Sequence, residues 1–223
     1  MNFKHNINYF KSNDMIKWIG IALCCLTAAL YFFGRGFIVR ILMYLSLPIG
    51  IVLFIIGSSR RSNDADIDED IEKLGKGVEI DLIEDNNFAK KLNRIFSPMT
   101  FEGYEYDDGL MYTKSKSNSV RSSKYTKAIV YVLSDSLYIV KRSFSLVSDE
   151  VENLTFEIPF ADIDCIELSH ENKTVKFEKK SFDVKFVRLN VISNEKITVS
   201  LPASDDINTE RIIEKMNSTV TIK

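Results

Sequence analysis

The chain has 223 residues, a formal net charge of −2 and an apolar fraction of 45%. These averages combine one strongly apolar segment near the N-terminus with a polar remainder, so the two parts are best considered separately. Three cysteines and two histidines provide neither a disulfide framework nor the paired Cys/His spacing of a structural zinc site. We therefore expect no disulfide, no metal ion and no cofactor.

Residues 1–17 form an N-terminal segment that we place in the cytoplasm. Phe3, Ile7 and Phe10 recur at helical spacing among asparagines and lysines. This pattern predicts either a short helix on the inner membrane surface or a frayed polar tail.

Residues 18–56 contain two apolar runs, 18–33 and 37–56, separated by Gly34, Arg35 and Gly36. The first run has no charged residue, and the second carries only Arg40. Each run reaches the length needed to cross a hydrocarbon core about 30 Å thick. The sequence therefore predicts a transmembrane helical hairpin.

Basic residues flank the hairpin on both sides and predict its orientation. Lys4, Lys11 and Lys17 precede it, and Arg60 and Arg61 follow it. Positively charged flanks remain on the cytoplasmic side. We expect a multi-pass protein of the cell (inner) membrane with both termini in the cytoplasm.

Two other interpretations of the hairpin are less consistent with the sequence. A cleaved signal peptide would need a small-x-small site after the first run, and a second full-length apolar run follows instead. A substrate pathway around Arg40 would need further intramembrane charges, which two such helices do not offer. We favour a membrane anchor.

Residues 57–99 form an acidic helical linker, with ten acidic residues and two lysines between positions 62 and 85. A calcium-binding EF-hand loop starting at Asp64 would need glycine at its sixth position and glutamate at its twelfth, where the chain has Glu69 and Gly75. Calcium binding is therefore not expected.

The linker is instead predicted to begin with a short helix. Ser62 or Asn63 is its N-cap and Gly75 its C-terminal stop. A second helix is expected over residues 85–96. Because an anionic leaflet repels the acidic residues of this linker, we expect a spacer that lets the following domain turn either face to the bilayer.

Residues 100–223 alternate between apolar and polar side chains, which predicts a mainly antiparallel β barrel or sandwich. A C-terminal α-helix is expected over residues 204–217. Turn signals include Glu171, Asn172 and Lys173. The predicted strands are 101–106, 110–113, 124–133, 136–145, 151–158, 163–169, 174–177, 182–192 and 196–201.

The order of these elements, with the segments AIVYVLSDSLYIVKR and FEIPFADIDCIEL, resembles the pleckstrin-homology (PH) superfold. The similarity is to bacterial membrane-anchored proteins with a PH-like or GRAM-like domain, whose Ile-Pro-aromatic-x-acidic-Ile turn is matched by residues 158–163. It covers residues 104–220 and departs from the family before Lys124. The resemblance implies a scaffold that binds lipid headgroups, peptides or sister subunits, without catalytic content.

Charge is segregated within this domain. Eight acidic residues and no lysine or arginine lie between positions 149 and 171, and this group is called the acidic block below. Seven basic residues with a single acid among them form the basic block, the candidate contact for an anionic lipid or a partner. Its members are Lys114, Lys116, Arg121, Lys124, Lys127, Lys141 and Arg142.

The basic block is open to three interpretations: a solvated surface, a contact for an anionic membrane, or a contact for an acidic protein patch, such as the acidic block of another copy. The chain lacks the nucleophile-elbow, phosphate-loop and HExxH motifs, so no enzyme activity is expected. We expect a membrane-anchored interaction or scaffold module, with self-association or a protein partner and no nucleic acid. The alternative is a sensor of anionic lipid headgroups.

Overall fold

A computed structural model describes residues 2–11, 15–34, 36–59, 62–84, 97–177 and 180–221 of the chain. Four helices come first: α1 (Phe3–Lys11), α2 (Met15–Phe33), α3 (Phe37–Ser59) and α4 (Asp64–Glu84). A β region and a C-terminal helix follow. The predicted helix over residues 85–96 lies outside the described residues.

Helices α2 and α3 pack against each other as an antiparallel hairpin. Both are long and apolar enough to cross a membrane, by length and composition. Small residues bring the backbones together, since a Cβ added at Gly20 would lie 2.6 Å from the backbone nitrogen of Phe54. The Thr27 and Ser46 hydroxyls hydrogen-bond across the interface at 2.7 Å. The predicted pair of apolar helices is confirmed.

The β region contains two main sheets. The four-stranded sheet has the order β1 (Met99–Tyr104), β4 (Lys124–Val132), β5 (Ser136–Ser145), β6 (Val151–Pro159), and the three-stranded sheet the order β7 (Cys165–Phe177), β8 (Lys180–Ser193), β9 (Lys196–Ala203). Every strand pair is antiparallel. A small hairpin of β2 (Tyr112–Lys114) and β3 (Val120–Ser122) is inserted between β1 and β4.

The core between the sheets is formed by alternate residues of the strands, as strand geometry requires. Val130, Ile139, Leu189 and Leu201 are buried there, and Met216 of α5 (Ile207–Thr221) packs against them. A short 3-10 helix, Phe160–Asp162, connects the sheets. The predicted antiparallel β architecture with a C-terminal helix is confirmed.

Helix α5 begins later than predicted because of its cap. The Asp206 carboxylate accepts a hydrogen bond from the Thr209 backbone N–H at 2.7 Å, as an N-cap does. Its side-chain bonds to the sheet come from Asn217, which donates to the Ile166 carbonyl at 2.7 Å and accepts from the Ile166 N–H at 3.0 Å.

Two predictions in the β region are wrong. Glu171, Asn172 and Lys173 do not form a turn, because β7 passes through them and pairs continuously with β8. Strand β3 lies in the polar run before Lys124, where no strand was expected. Strand β3 is short and forms because it pairs with β2, although the surrounding run is polar.

The acidic helix is also longer than predicted. The Asn63 side chain caps it by accepting a hydrogen bond from the Asp66 N–H at 3.0 Å, as expected. However, the helix continues through Gly75 and Gly77 to Glu84. Helix α4 also packs on β4 and β5, so it is not the free spacer that the charge pattern suggested.

Helix α1 confirms the helical alternative for the N-terminal segment, but it packs on protein. Tyr9 and Phe10 are buried with Ile67 of α4, Phe144 of β5 and Leu146 directly after β5. Because α1 precedes the hairpin and α4 follows it, the two ends of the hairpin meet at one apolar cluster. We call this cluster the junction.

Candidate functional site

The basic block begins on the β2–β3 hairpin, which presents Lys114, Lys116 and Arg121. Thr113 faces Arg121 across the hairpin. The turn is closed by the Ser115 N–H donating to the Ser119 carbonyl at 2.9 Å, with Asn118 at a φ of 66°. Asparagine tolerates this left-handed conformation better than most residues. Lys114 and Lys116 are exposed, and the Lys114 ammonium lies 4.3 Å from the centre of the Phe182 ring.

The remaining basic residues come from the central strands and do not share one face. Lys127 of β4 lies opposite Arg142 of β5, whereas Lys141 faces the other side of the sheet. The Lys141 ammonium donates to the Ser200 carbonyl at 3.3 Å, in the seam between the two sheets. Lys124 lines a surface depression near Glu152. The structure therefore divides the seven residues among several environments.

Acidic helix α4 packs against much of the basic block. The Arg121 guanidinium donates to both carboxylate oxygens of Asp68, at 2.8 and 3.2 Å, and to the Asp64 carbonyl at 3.3 Å. The Lys116 backbone N–H donates to the Asp64 carboxylate at 2.8 Å. A two-point contact between arginine and a carboxylate has defined geometry, so it fixes α4 relative to the β2–β3 hairpin.

Glycines explain how closely α4 approaches the sheet. A Cβ added at Gly75 would lie 3.2 Å from Cδ of Lys127, and one added at Gly77 would collide with the Arg142 guanidinium. Glycine inside a helix costs about 1 kcal/mol relative to alanine. Here the absence of a side chain allows the basic side chains of β4 and β5 to lie against the helix.

Helix α1 completes the junction through polar contacts. The Tyr9 hydroxyl donates to the Asp64 carboxylate at 2.6 Å. The Asn6 amide donates to Asp70 at 3.0 Å and to the Leu146 carbonyl at 2.9 Å, and its oxygen accepts from the Ser62 hydroxyl at 2.6 Å. Asn6 is buried and its hydrogen bonds are satisfied, so it joins both helices to the β region.

These contacts change the protonation behaviour of the junction. Burial raises the pKa of Asp64, but the Tyr9 hydroxyl, the Lys116 N–H and the Arg121 guanidinium outweigh this effect and hold that pKa below its usual range. Burial, followed by the hydrogen bond to Asp64, raises the pKa of Tyr9 well above its usual range. At neutral pH Asp64 is therefore the acceptor and Tyr9 the donor.

The acidic block has a different environment from the basic block. Its eight carboxylates lie on β6, β7 and the segments beside them, and all eight side chains are exposed. Glu171 lies 3.7 Å from Arg188, and the Asp164 carboxylate accepts a hydrogen bond from the Glu195 N–H at 2.7 Å. This surface is accessible to solvent in the described part of the chain.

Sequence reasoning located the basic and acidic residues but missed their pairing. The acidic helix was assigned to membrane repulsion, although its complement lies only about 50 residues further along the chain, at Arg121. The sequence does contain a signal that could have predicted the packing of α4 on the β region: a strongly acidic helix, two glycines within it, and a basic β-hairpin. Asn6 and Tyr9 gave no comparable signal, because both side chains are uncharged and form no charge pattern that points to a partner.

The described part of the chain holds no group of three or more His, Cys, Asp or Glu side chains that could bind a metal ion. Cys24, Cys25 and Cys165 are free thiols. No protein family, curated protein or solved structure matches this chain.

Proposed function

We propose that this chain is an integral membrane protein that holds a non-catalytic, PH-like interaction module in a fixed orientation at the cytoplasmic face of the cell membrane. The observation that carries the proposal is the junction. Helix α1 precedes the transmembrane hairpin in the chain and α4 follows it, and both pack on the same buried cluster of the β region. The module is thus attached to the hairpin at two points.

The surface of the hairpin supports membrane insertion. Large apolar side chains of α2 and α3 face outward, including Trp18, Phe32 and Tyr44, and Phe33 is 87% exposed. An apolar surface of this extent is unfavourable in water and suits lipid. The basic residues on both flanks support the cytoplasmic placement of α1 and α4.

The arrangement of strands supports the PH-like assignment. A four-stranded sheet, a three-stranded sheet and a C-terminal helix follow one another in the order that the resemblance implies. The β2–β3 hairpin is an addition to this order, and it contacts α4 together with β4 and β5. The added hairpin therefore serves the attachment of the module.

The junction favours an interaction module over a lipid sensor. Arg121, Lys127 and Arg142 lie against α4, which leaves Lys114 and Lys116 as the exposed members of the basic block. A phosphate-binding site would need several basic groups converging on one point. The exposed acidic block is the surface that a fixed orientation would present to a basic protein partner.

Membrane topology can be tested with single cysteines in a background without Cys24, Cys25 and Cys165. A cysteine at Ser119, on the exposed β2–β3 turn, should be protected from a membrane-impermeant thiol reagent in intact cells and labelled after permeabilisation. A cysteine at Arg35, between the two apolar helices, is the matched external position and should be labelled in intact cells. Labelling of position 119 from outside would reverse the proposed orientation.

The interaction function can be tested by crosslinking at single positions in intact cells. A photoreactive residue at Asn153, on exposed strand β6, should give a discrete crosslinked species, either a partner or a second copy. The same residue at Ser117, also exposed but on the β2–β3 turn, is the control. Crosslinks at 117 to lipid, with none at 153, would favour the lipid-sensing alternative.

A further inference from the structure

A second charged cluster lies in the seam between the two sheets, away from the junction. Glu105, directly after β1, is 2% exposed. Its Oε2 lies 2.9 Å from the Arg188 guanidinium. Its Oε1 has no hydrogen-bond partner among the described residues, and the Lys141 ammonium is 4.0 Å away. A buried carboxylate oxygen without a donor is costly, so it is expected to meet a donor that comes from outside the fold.

Glu105 lines a cavity of about 300 Å³ in this seam. The cavity is bounded by residues 102–106 around the end of β1, 185–188 of β8, and 202, 203 and 205 at the end of β9. Strands β1 and β9 are edge strands of their sheets and lie side by side here. The volume corresponds to the small end of ligand-binding pockets, about 300–1,000 Å³.

The charges around the cavity favour a cation. Arg188 is shared among Glu105 at 2.9 Å, Asp107 at 3.7 Å and Glu171 at 3.7 Å. Two further acids, Glu102 and Asp205, line the cavity. The groups that line it or pair with Glu105 and Arg188 are thus five carboxylates and three cations, Lys141, Lys185 and Arg188. A positively charged ligand would reduce this imbalance.

The walls add an aromatic surface. The rings of Tyr106 and Phe186 lie 4.9 Å apart, and the Arg188 guanidinium is 5.3 Å from the centre of the Phe186 ring. Planar cations are stabilised at such ring faces. A metal ion fits less well, because no metal-binding group of three His, Cys, Asp or Glu residues occurs among the described residues.

We propose that the cavity binds a guanidinium or primary ammonium group, whose N–H donates to Oε1 of Glu105. The group belongs either to a free small molecule or to an arginine or lysine side chain of a bound chain. This inference is independent of the proposed membrane function, because it uses neither the hairpin nor the junction.

The test uses the full chain in lipid nanodiscs at near-physiological salt, with ligand-observed NMR titrations. Agmatine, which carries a guanidinium and a primary ammonium group, represents a free small molecule, and N-acetyl-arginine methylamide represents an arginine side chain within a chain. Butyrate is the anionic control. Agmatine should bind the wild type with a dissociation constant of about 1 mM or below, and butyrate should not bind. Binding of both guanidinium probes would indicate a side-chain ligand, and binding of agmatine alone a free molecule.

Three variants relate binding to the cavity. Glu105→Gln keeps the shape but removes the charge, while Arg188 retains Asp107 and Glu171, so agmatine affinity should fall about tenfold. Asp205→Asn, at an exposed position, should weaken it about twofold even if the Glu105 variant does not fold. Glu214→Gln, at an exposed acid on α5 that does not line the cavity, is the matched control and should bind like the wild type.

The proposal is overturned if neither guanidinium compound binds the wild type at about 10 mM, far above the expected constant. It is also overturned if binding is unchanged in both Glu105→Gln and Asp205→Asn, or falls equally in Glu214→Gln. Either of the latter results would mean that the compounds associate with acidic surface in general.

Discussion

The basic and acidic blocks follow the same pattern in the sequence, each dominated by one sign of charge, but they lie in different environments in the structure. Both are runs of one charge within the same β region. Much of the basic block lies under α4, where Arg121 pairs with Asp68 and where Gly75 and Gly77 admit Lys127 and Arg142. The acidic block remains exposed on β6 and β7. A run of charge in a sequence therefore does not distinguish an internal interface from an exposed surface.

The difference between the blocks depends on the apolar contacts of the junction, because charge pairs at a surface contribute little by themselves. Phe10 is 2% exposed and packs with Ile67 and Phe144. Removing such contacts should free the basic block without altering any charge. The following predictions test this dependence, from the largest expected effect to the smallest.

Phe10→Ala should destabilise docking of α1 and α4 by about 3–5 kcal/mol, the usual cost of truncating a buried phenylalanine. Hydrogen exchange of α4 amides in the full chain should then become faster by more than a hundredfold. Phe33→Ala makes the same chemical change at an exposed hairpin position and should leave α4 protected. Unchanged exchange in Phe10→Ala would show that the charges alone hold α4.

The Arg121–Asp68 pair should contribute a coupling of about 1 kcal/mol in a double-mutant cycle, because the arginine is largely covered while the aspartate is exposed. The exposed Glu69–Lys73 pair within α4 is the comparison and should give a smaller coupling, because water screens both of its side chains. Unfolding of the full chain monitored by circular dichroism measures both. Equal couplings would mean that Arg121 does not hold α4 on the β region.

Neutralising the exposed acidic block should have little effect on stability. Asp162→Asn combined with Glu167→Gln is expected to change the free energy of unfolding by less than about 0.5 kcal/mol, as is usual for surface positions. The same variant should lose crosslinking from position 153 if the block contacts a basic partner. A large loss of stability would show that these acids are part of an internal interface.

The pH dependence of the junction should be the smallest effect. The pKa of Asp64 is lowered in the folded protein, so its contribution is present above the unfolded-state value of about 3.8. That contribution is lost as the pH falls through the lowered folded-state value. Thermal unfolding between pH 6 and about 3 should therefore show a steeper loss of stability in the wild type than in Asp64→Asn. Identical slopes would contradict the role of Asp64 as the acceptor.

Much of the fold could be predicted from local patterns. The apolar runs of residues 18–33 and 37–56 require two long helices, and the stretches rich in β-branched and aromatic residues that form β4 and β5 favour strands. The Asn63 cap was also predictable, because its hydrogen bond joins residues three positions apart. Each of these features depends on neighbours in the sequence.

The candidate site was only partly predictable. All seven residues of the basic block can be read from the sequence, but Lys141 points toward the seam because consecutive residues of a strand face opposite sides of the sheet, and Arg142 faces α4. The cavity at Glu105 gave no signal, since its walls come from β1, β8 and β9, which are far apart in the chain. Composition cannot show which distant residues will converge.

The sequence by itself determined that an apolar hairpin precedes an antiparallel β region, because these properties follow from the length and period of apolar runs. Only the tertiary structure decided that α1 and α4 pack on that region. Asn6 and Leu146 lie 140 positions apart, and Arg121 and Asp68 lie 53 apart. Contacts over such distances depend on how all the elements fit together in space, and no local pattern specifies that fit.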